Sequence, residues 1–191
     1  MGIGKLLNLN IPKVISATWH FRTMTTVRSR GLTFKLVTNN WITKYRARSF
    51  NDKEPEMLDW LDDNLKDGDV FFDIGANVGI YSVYAALRNT KAMVYAFEPE
   101  YSNLYLLKEN ILKNDLTMKA SIYSLGISDF TGISHLHLQD LKEGAAAHTE
   151  NRETIQETDE GLKVMWAEGI ATATLDYLCE SLNVCPNTIK I

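Results

Sequence analysis

Apolar and polar positions recur along this chain in three different rhythms. Residues 2–21 place Ile3, Leu6 and Leu7, then Val14, Ile15 and Trp19, at helical spacings around Pro12, with Lys5, Lys13 and Arg22 interspersed. Two short amphipathic helices are expected there. Leu32, Phe34 and Leu36 then alternate before Asn39-Asn40, and Trp41-Ile42-Thr43 resumes a β-prone run, so the spacing predicts a hairpin with its second strand at Trp41. From Pro55 to Lys66 the period returns to that of a helix: Pro55 suits a first turn, Met57, Leu58, Leu61 and Leu65 share a face, and Gly68 is the stop.

From residue 69 short strands alternate with helices. Val70-Phe71-Phe72 reads as a buried strand, Ile80 to Leu87 as a helix and Met93 to Phe97 as a second strand, which is a βαβ unit. Ser102 is expected to cap a helix carrying Leu104, Leu107 and Ile111, and residues 120–127 to form a third strand. This order implies an α/β fold with a parallel sheet and helices on its faces. His135-Leu136-His137-Leu138 alternates like a strand, Lys163 to Thr172 is its expected partner, and the polar, acidic residues 143–161 form the tip between them. Leu175 to Leu182 predicts a last helix. Thr188-Ile189-Lys190-Ile191 then has the composition of a buried strand, and because such sheets seldom end on a fresh strand the chain reads as a fragment. Two units are expected: a basic extension of helices and hairpin over residues 1–50, and a sheet-building unit over residues 51–191.

Composition narrows the class. With 191 residues, 45% of them hydrophobic and 23% charged, the chain encloses one good-sized core, which excludes disorder and a disulfide-stapled miniprotein. The longest apolar run falls well short of the about 20 residues that cross a bilayer, and the N-terminus lacks the order of a signal peptide. A soluble, cytoplasmic protein with Cys179 and Cys185 as reduced thiols is the expectation. The net charge of −4 conceals an asymmetry: residues 1–50 hold nine Lys or Arg and no acid, leaving 11 bases against 24 acids beyond them. The basic end suits an anionic surface. Peripheral membrane contact is the alternative to the commoner packing of such helices on their own domain. Nucleic acid is not expected, because the sheet-building unit is acidic and carries no recognition motif. His135 and His137 have the spacing of a two-histidine metal pair, but no third ligand stands out, so no metal is expected.

The candidate chemistry lies in Asp73-Ile74-Gly75-Ala76-Asn77-Val78-Gly79, after one strand and before one helix. Gly75 permits a tight turn and close approach of a ligand to the backbone, and Gly79 lets the helix pack on the strand. Nineteen residues beyond Gly79, Glu98 closes the next strand, where a carboxylate accepts hydrogen bonds from both hydroxyls of a ribose. A dinucleotide fingerprint would read G-x-G-x-x-G and present bare amides to a pyrophosphate. Here an acid precedes the first glycine. Asp73 would repel a phosphate yet hold the ammonium of an amino-acid moiety, directly or through water. S-adenosylmethionine has that amino acid, a ribose and no phosphate.

The segments VFFDIGANVGIYS (70–82), VYAFEPE (94–100), SNLYLLKEN (102–110), LGISDFTG (125–132) and TATLDYLCESLNVCPNTIKI (172–191) together resemble the FkbM family of S-adenosylmethionine-dependent methyltransferases, over about residues 50–191. The resemblance implies a Rossmann-like class I methyltransferase sheet, with about four of its seven strands present here. It implies that Asp73, Gly75, Asn77 and Gly79 surround the methionine part of S-adenosylmethionine, that Glu98 holds the ribose, and that Ser128 and Asp129 lie beside the adenine. The implied activity is O-methylation of a hydroxyl on a sugar, glycan or small natural product. In the family the IKI strand runs on into an Asp-Val-Glu-Gly-like motif that carries the natural base candidate. This chain stops short of it, and no catalytic residue is assigned. Two alternatives stand beside this reading: a truncated, noncatalytic domain that binds cofactor or a partner chain, and a nucleotide-dependent oxidoreductase. Oligomeric state is not legible in the sequence.

Overall fold

The structure, a computed structural model, describes residues 23–191 except 147, 152, 154–160 and 162. The helices expected within residues 2–21 lie outside the described residues.

A hairpin is present, but two features differ from the expectation. Strands β1 (Met24–Ser29) and β2 (Leu32–Val37) pair antiparallel around Arg30-Gly31, whose φ angles of +48° and +86° are the left-handed pair that a tight hairpin turn requires. Trp41 does not begin a strand; it opens helix α1 (Trp41–Arg48). The reason is local: the Asn40 side chain accepts from the Thr43 N–H at 3.0 Å, and the Thr43 hydroxyl accepts from the Asn40 N–H at 3.2 Å. That reciprocal capping box outweighs the β propensity of Trp41, Ile42 and Thr43.

Helix α2 (Pro55–Asn64) follows as expected. Next come β3 (Val70–Ile74), α3 (Ile80–Arg88), β4 (Met93–Phe97), α4 (Tyr101–Lys113) and β5 (Ala120–Tyr123). Glu100, not Ser102, caps α4: its carboxylate accepts from the N–H groups of Ser102 at 2.8 Å and Asn103 at 2.6 Å. A carboxylate both satisfies orphan amides and complements the helix dipole.

The expected third strand divides. After β5 the chain leaves the main sheet, and β6 (Gly126–Ile127) enters a second one in the order β6-β9-β7-β8, built with β7 (Gly132–Leu138), β8 (Thr149–Asn151) and β9 (Trp166–Ala173). The expected pairing of the His135 strand with the segment ending near Thr172 is present as the β7–β9 antiparallel ladder. Helix α5 (Leu175–Leu182) then leads to β10 (Thr188–Lys190).

β10 adds to the near edge of the sheet, giving the parallel order β10-β3-β4-β5. Helices lie on both faces, which makes this the doubly wound, Rossmann-like α/β architecture. Phe71, Val94 and Ala96 face a core shared with α2, α3, α4 and the hairpin, whose Phe34, Leu36 and Val37 are buried in it. Phe72, Phe97 and Leu178 of α5 form the core of the opposite face. There Phe72–Phe97 and Phe97–Tyr123 ring centroids lie 5.1 and 5.2 Å apart. Asp62 ties the hairpin to the helices: it receives Arg30 at 2.9 Å, Arg88 at 3.1 Å and the Tyr84 hydroxyl at 2.7 Å.

The chain runs outward from β3 to β5 and returns beside β3 at β10. The strand order therefore reverses between β3 and β10, and in such folds ligands bind outside the carboxyl ends of the strands at this reversal. Among the described residues no helix is long and apolar enough to cross a membrane, and Cys179 and Cys185 are free thiols.

Candidate functional site

Side chains alternate along β3, so Asp73 shares the α3-facing side with Phe71. It is fully buried. Its Oδ2 accepts from the Ser82 hydroxyl at 2.5 Å, and Lys190 Nζ, delivered by the register that pairs Lys190 with Asp73, lies 3.0 Å from Oδ1. Oδ1 has no directed hydrogen bond, so charge and proximity hold this contact. The lysine also donates to the carbonyl of Ile74 at 3.3 Å and sits 5.7 Å from the centre of the Tyr81 ring.

Beyond β3 the chain turns through Gly75 and Asn77, with φ of +63° and +53°. Every amide from Ala76 to Gly79 is engaged within the protein. Ala76 donates to the Phe97 carbonyl at 3.0 Å, Asn77 to Glu98 Oε2 at 2.7 Å, Val78 to Asn77 Oδ1 at 2.9 Å and Gly79 to the Ala76 carbonyl at 2.8 Å. Gly79 is needed for space as well as for its φ of +75°: a Cβ there would meet Leu107 Cδ1 of α4 at 2.2 Å.

Glu98 follows β4 and is 5% exposed. Its Oε1 accepts from the Glu100 N–H at 2.9 Å, while Oε2 takes Asn77. Burial pushes its carboxyl up to about 7, opposed by these two backbone donors. Each oxygen keeps a further lone pair for a hydroxyl donor.

The structure thus brings Asp73, Gly75, Asn77, Gly79 and Glu98 around one loop. Ser128 and Asp129 sit at the end of β6 on the second sheet. The Ser128 N–H donates to the Ala173 carbonyl at 3.1 Å, and its hydroxyl reaches Glu150 Oε2 at 3.2 Å. A side chain at Gly126 would come within 3.9 Å of Pro99, so β6 starts beside the residue that follows Glu98.

Sequence reasoning missed several residues around the loop. Asn77 Nδ2 donates to the Ala145 carbonyl at 2.6 Å, Asn103 Oδ1 accepts from the Gly144 N–H at 2.7 Å, and Arg46 Nε donates to the Gly144 carbonyl at 2.7 Å. These bonds seat the Asp140–Ala146 segment over the loop. Its Gly-Ala composition has no periodicity to reveal this. In the sequence Lys190 is marked only as a strand residue. The Asn40-x-x-Thr43 spacing, in contrast, was an available sign of a helix start. His135 and His137 share one side of β7, with rings 6.3 Å apart. Among the described residues no group of three or more His, Cys, Asp or Glu side chains is placed to hold a metal.

Comparison with known proteins agrees with the family resemblance. Over 72 residues the chain is 31% identical to the 31-O-demethyl-FK506 methyltransferase FkbM of Streptomyces tacrolimicus, a match covering 38% of this chain and 27% of that protein. The chain therefore spans about a quarter of the length of this curated relative. No family model matches the chain. Among solved structures it is similar to M. jannaschii TYW2 in complex with AdoMet, at 21% identity over 53% of this chain and 42% of that one, TM-score 0.37. It is also similar to an Agrobacterium tumefaciens SAM-dependent methyltransferase, at 15% identity over 53% and 32%, TM-score 0.41.

Proposed function

We propose that this chain is the cofactor-binding part of an S-adenosylmethionine-dependent methyltransferase of FkbM type, acting on a hydroxyl of a sugar, glycan or small natural product. The observation that carries this reading is the state of the loop amides. From Ala76 to Gly79 all four are bonded within the protein, so none of them is free for the pyrophosphate of a dinucleotide. What the loop offers instead is a buried carboxylate at each strand end, Asp73 and Glu98, which suits a cationic, ribose-bearing and phosphate-free ligand. The same observation weighs against the oxidoreductase alternative, whose fingerprint loop presents bare amides.

In this reading Glu98 accepts from the ribose hydroxyls, while Ser128 and Asp129 border the adenine. Asp73 is paired with Lys190; an amino-acid ammonium reaches its Oδ1 only by displacing Lys190 Nζ or by sharing the carboxylate with it through water. Gly75 and Asn77 shape the turn, and the Asp140–Ala146 segment excludes water from it. When bound, S-adenosylmethionine supplies a sulfonium methyl for in-line displacement by a hydroxyl oxygen, the C–S electron pair leaving on sulfur and the hydroxyl proton passing to water or a base. The residues of this chain contribute alignment and exclusion of water.

Glu98 gives this reading a pH signature. Only the ionised carboxylate accepts from both hydroxyls, and burial holds its pKa at about 7. Affinity for S-adenosylhomocysteine is therefore expected to fall about tenfold between pH 8 and pH 6. Isothermal titration calorimetry reads this directly, and Glu98→Gln should bind more weakly and lose the pH dependence. The unliganded fold runs the other way. Its raised carboxyl contributes stability that is fully present below the ordinary carboxyl range and lost as pH rises through about 7. A flat affinity from pH 6 to 8 in the unmodified protein would remove Glu98 from the site.

A further inference from the structure

Beside the loop lies a cavity with a different chemical character. Helix α1 carries Trp41 and Tyr45 one turn apart, 66% and 52% exposed, on the side that faces the Asp140–Ala146 segment. Between them is a cleft of about 290 Å³ whose walls include Trp41, Tyr45, Arg46, Lys53, Asp140 and Ala145. Residues at i and i+4 share a helix face, so the two rings form one discontinuous aromatic surface. Arg46 is held in the wall by its Nε bond to the Gly144 carbonyl, and burial lowers its pKa from the ordinary guanidinium value. A partly desolvated cation of this kind attracts an anion more strongly than one in open water. The opposite wall is shared with the loop: Ala145, which lines the cleft, accepts at its carbonyl from Asn77 and, at 3.3 Å, from Asn103. A ligand here lies one residue's thickness from the proposed cofactor site.

The mixture of groups selects the ligand class. A wholly apolar ligand would strip water from Arg46, Lys53 and Asp140 without replacing it. A multiply charged phosphate would meet the cations but also the carboxylate of Asp140. A ring with a C–H face for the aromatics, hydroxyls for Asp140 and one carboxylate for Arg46 and for Lys53, which already pairs with Glu54 at 2.9 Å and would be shared between the two carboxylates, satisfies these walls, and the cavity holds about one such ring. We propose that this cleft binds a saccharide bearing a single carboxylate, a uronate, and that it is the acceptor subsite of the enzyme. The second half of that statement rests on the methyltransferase reading; saccharide binding does not.

The test is saturation-transfer NMR and calorimetry of the full chain with methyl β-D-glucuronide, methyl β-D-glucoside and glucose 6-phosphate, with S-adenosylhomocysteine titrated separately. The glucuronide is expected to bind with transfer concentrated on ring C–H protons, and the glucoside about tenfold more weakly. Trp41→Ala and Lys53→Gln should each weaken the glucuronide several-fold while S-adenosylhomocysteine affinity stays unchanged, which also establishes that the variants fold. S-adenosylhomocysteine binding without glucuronide binding overturns this inference alone. Glucuronide binding without S-adenosylhomocysteine binding keeps the saccharide site and overturns the methyltransferase reading. Equal affinity for glucoside, tighter binding of glucose 6-phosphate, or indifference to Trp41→Ala would each overturn the assignment of a uronate to this cleft.

Discussion

Lys190→Met is expected to destabilise the fold by about 3–5 kcal/mol, because it removes one partner of a buried ion pair and leaves the other charged. Asp73 is fully buried, its companion lysine is 13% exposed, and the two lie 3.0 Å apart. Ser82 cannot compensate: it already donates to Oδ2, and one neutral hydroxyl does not replace an ammonium. Urea denaturation of the single variant measures the loss. Asp73→Asn combined with Lys190→Met should recover most of it, since the double change removes both charges and leaves an amide that still accepts from Ser82. A single variant as stable as the unmodified chain would mean that Asp73 is not charged or not held by Lys190. The same pair bears on ligand binding, because an ammonium arriving at Asp73 competes with Lys190 for Oδ1.

The second large effect belongs to Gly79→Ala. A methyl group at this position would stand 2.2 Å from Leu107 Cδ1 and 3.6 Å from Leu107 Cα, on a backbone with φ of +75°. Leu107 is itself fully buried, so its side chain has little room to retreat. Overpacking of about 1–3 kcal/mol adds to left-handed strain of about 1–2 kcal/mol, a total of roughly 2–5 kcal/mol. At about 2–4 °C per kcal/mol for a chain of this size, the melting temperature is expected to fall by about 4–20 °C. Gly75→Ala is the control: its φ is +63°, but a Cβ there meets nothing within 4 Å, so only the strain remains. Leu107→Ala placed beside Gly79→Ala should relieve the overlap and not the strain. If Gly79→Ala melts no lower than Gly75→Ala, the close approach of α3 and α4 does not constrain this position.

The parts of the fold that were legible in the sequence are those in which local pattern and tertiary context agree. Val70-Phe71-Phe72 reads as a strand because it is covered on both faces, and the structure places Phe71 and Phe72 in opposite cores. Thr174 begins α5 with a cap, accepting from the Tyr177 N–H at 3.2 Å, so that helix matches its predicted span. Where the two levels disagree, the reading failed. Trp41-Ile42-Thr43 has strand composition but a helix-starting cap before it, and the cap prevailed. Residues 120–127 look like one strand because Ile122, Tyr123, Leu125 and Ile127 are β-prone with no strong break between them, yet β5 ends at Tyr123 and β6 pairs with β9, a partner more than forty residues away. The candidate site divides in the same way. Asp73, Gly75, Asn77, Gly79 and Glu98 meet around one loop because consecutive strand ends and the turn between them position these residues locally. Lys190, Arg46 and the Asp140–Ala146 segment reach the loop only through long-range register and side-chain bonds, which leave no spacing in the sequence.

The central claim is that this loop takes S-adenosylmethionine and not a dinucleotide. Its most direct test is the thermal melt of this chain alone, with S-adenosylhomocysteine, and with NADH. A ligand at 100 times its dissociation constant adds about 2.7 kcal/mol to the folded state, which for a chain of this size raises the melting temperature by about 5–11 °C. A cooperative melt shifted by S-adenosylhomocysteine and unmoved by NADH is the expected result. A cooperative melt that NADH raises and S-adenosylhomocysteine leaves in place would contradict the account.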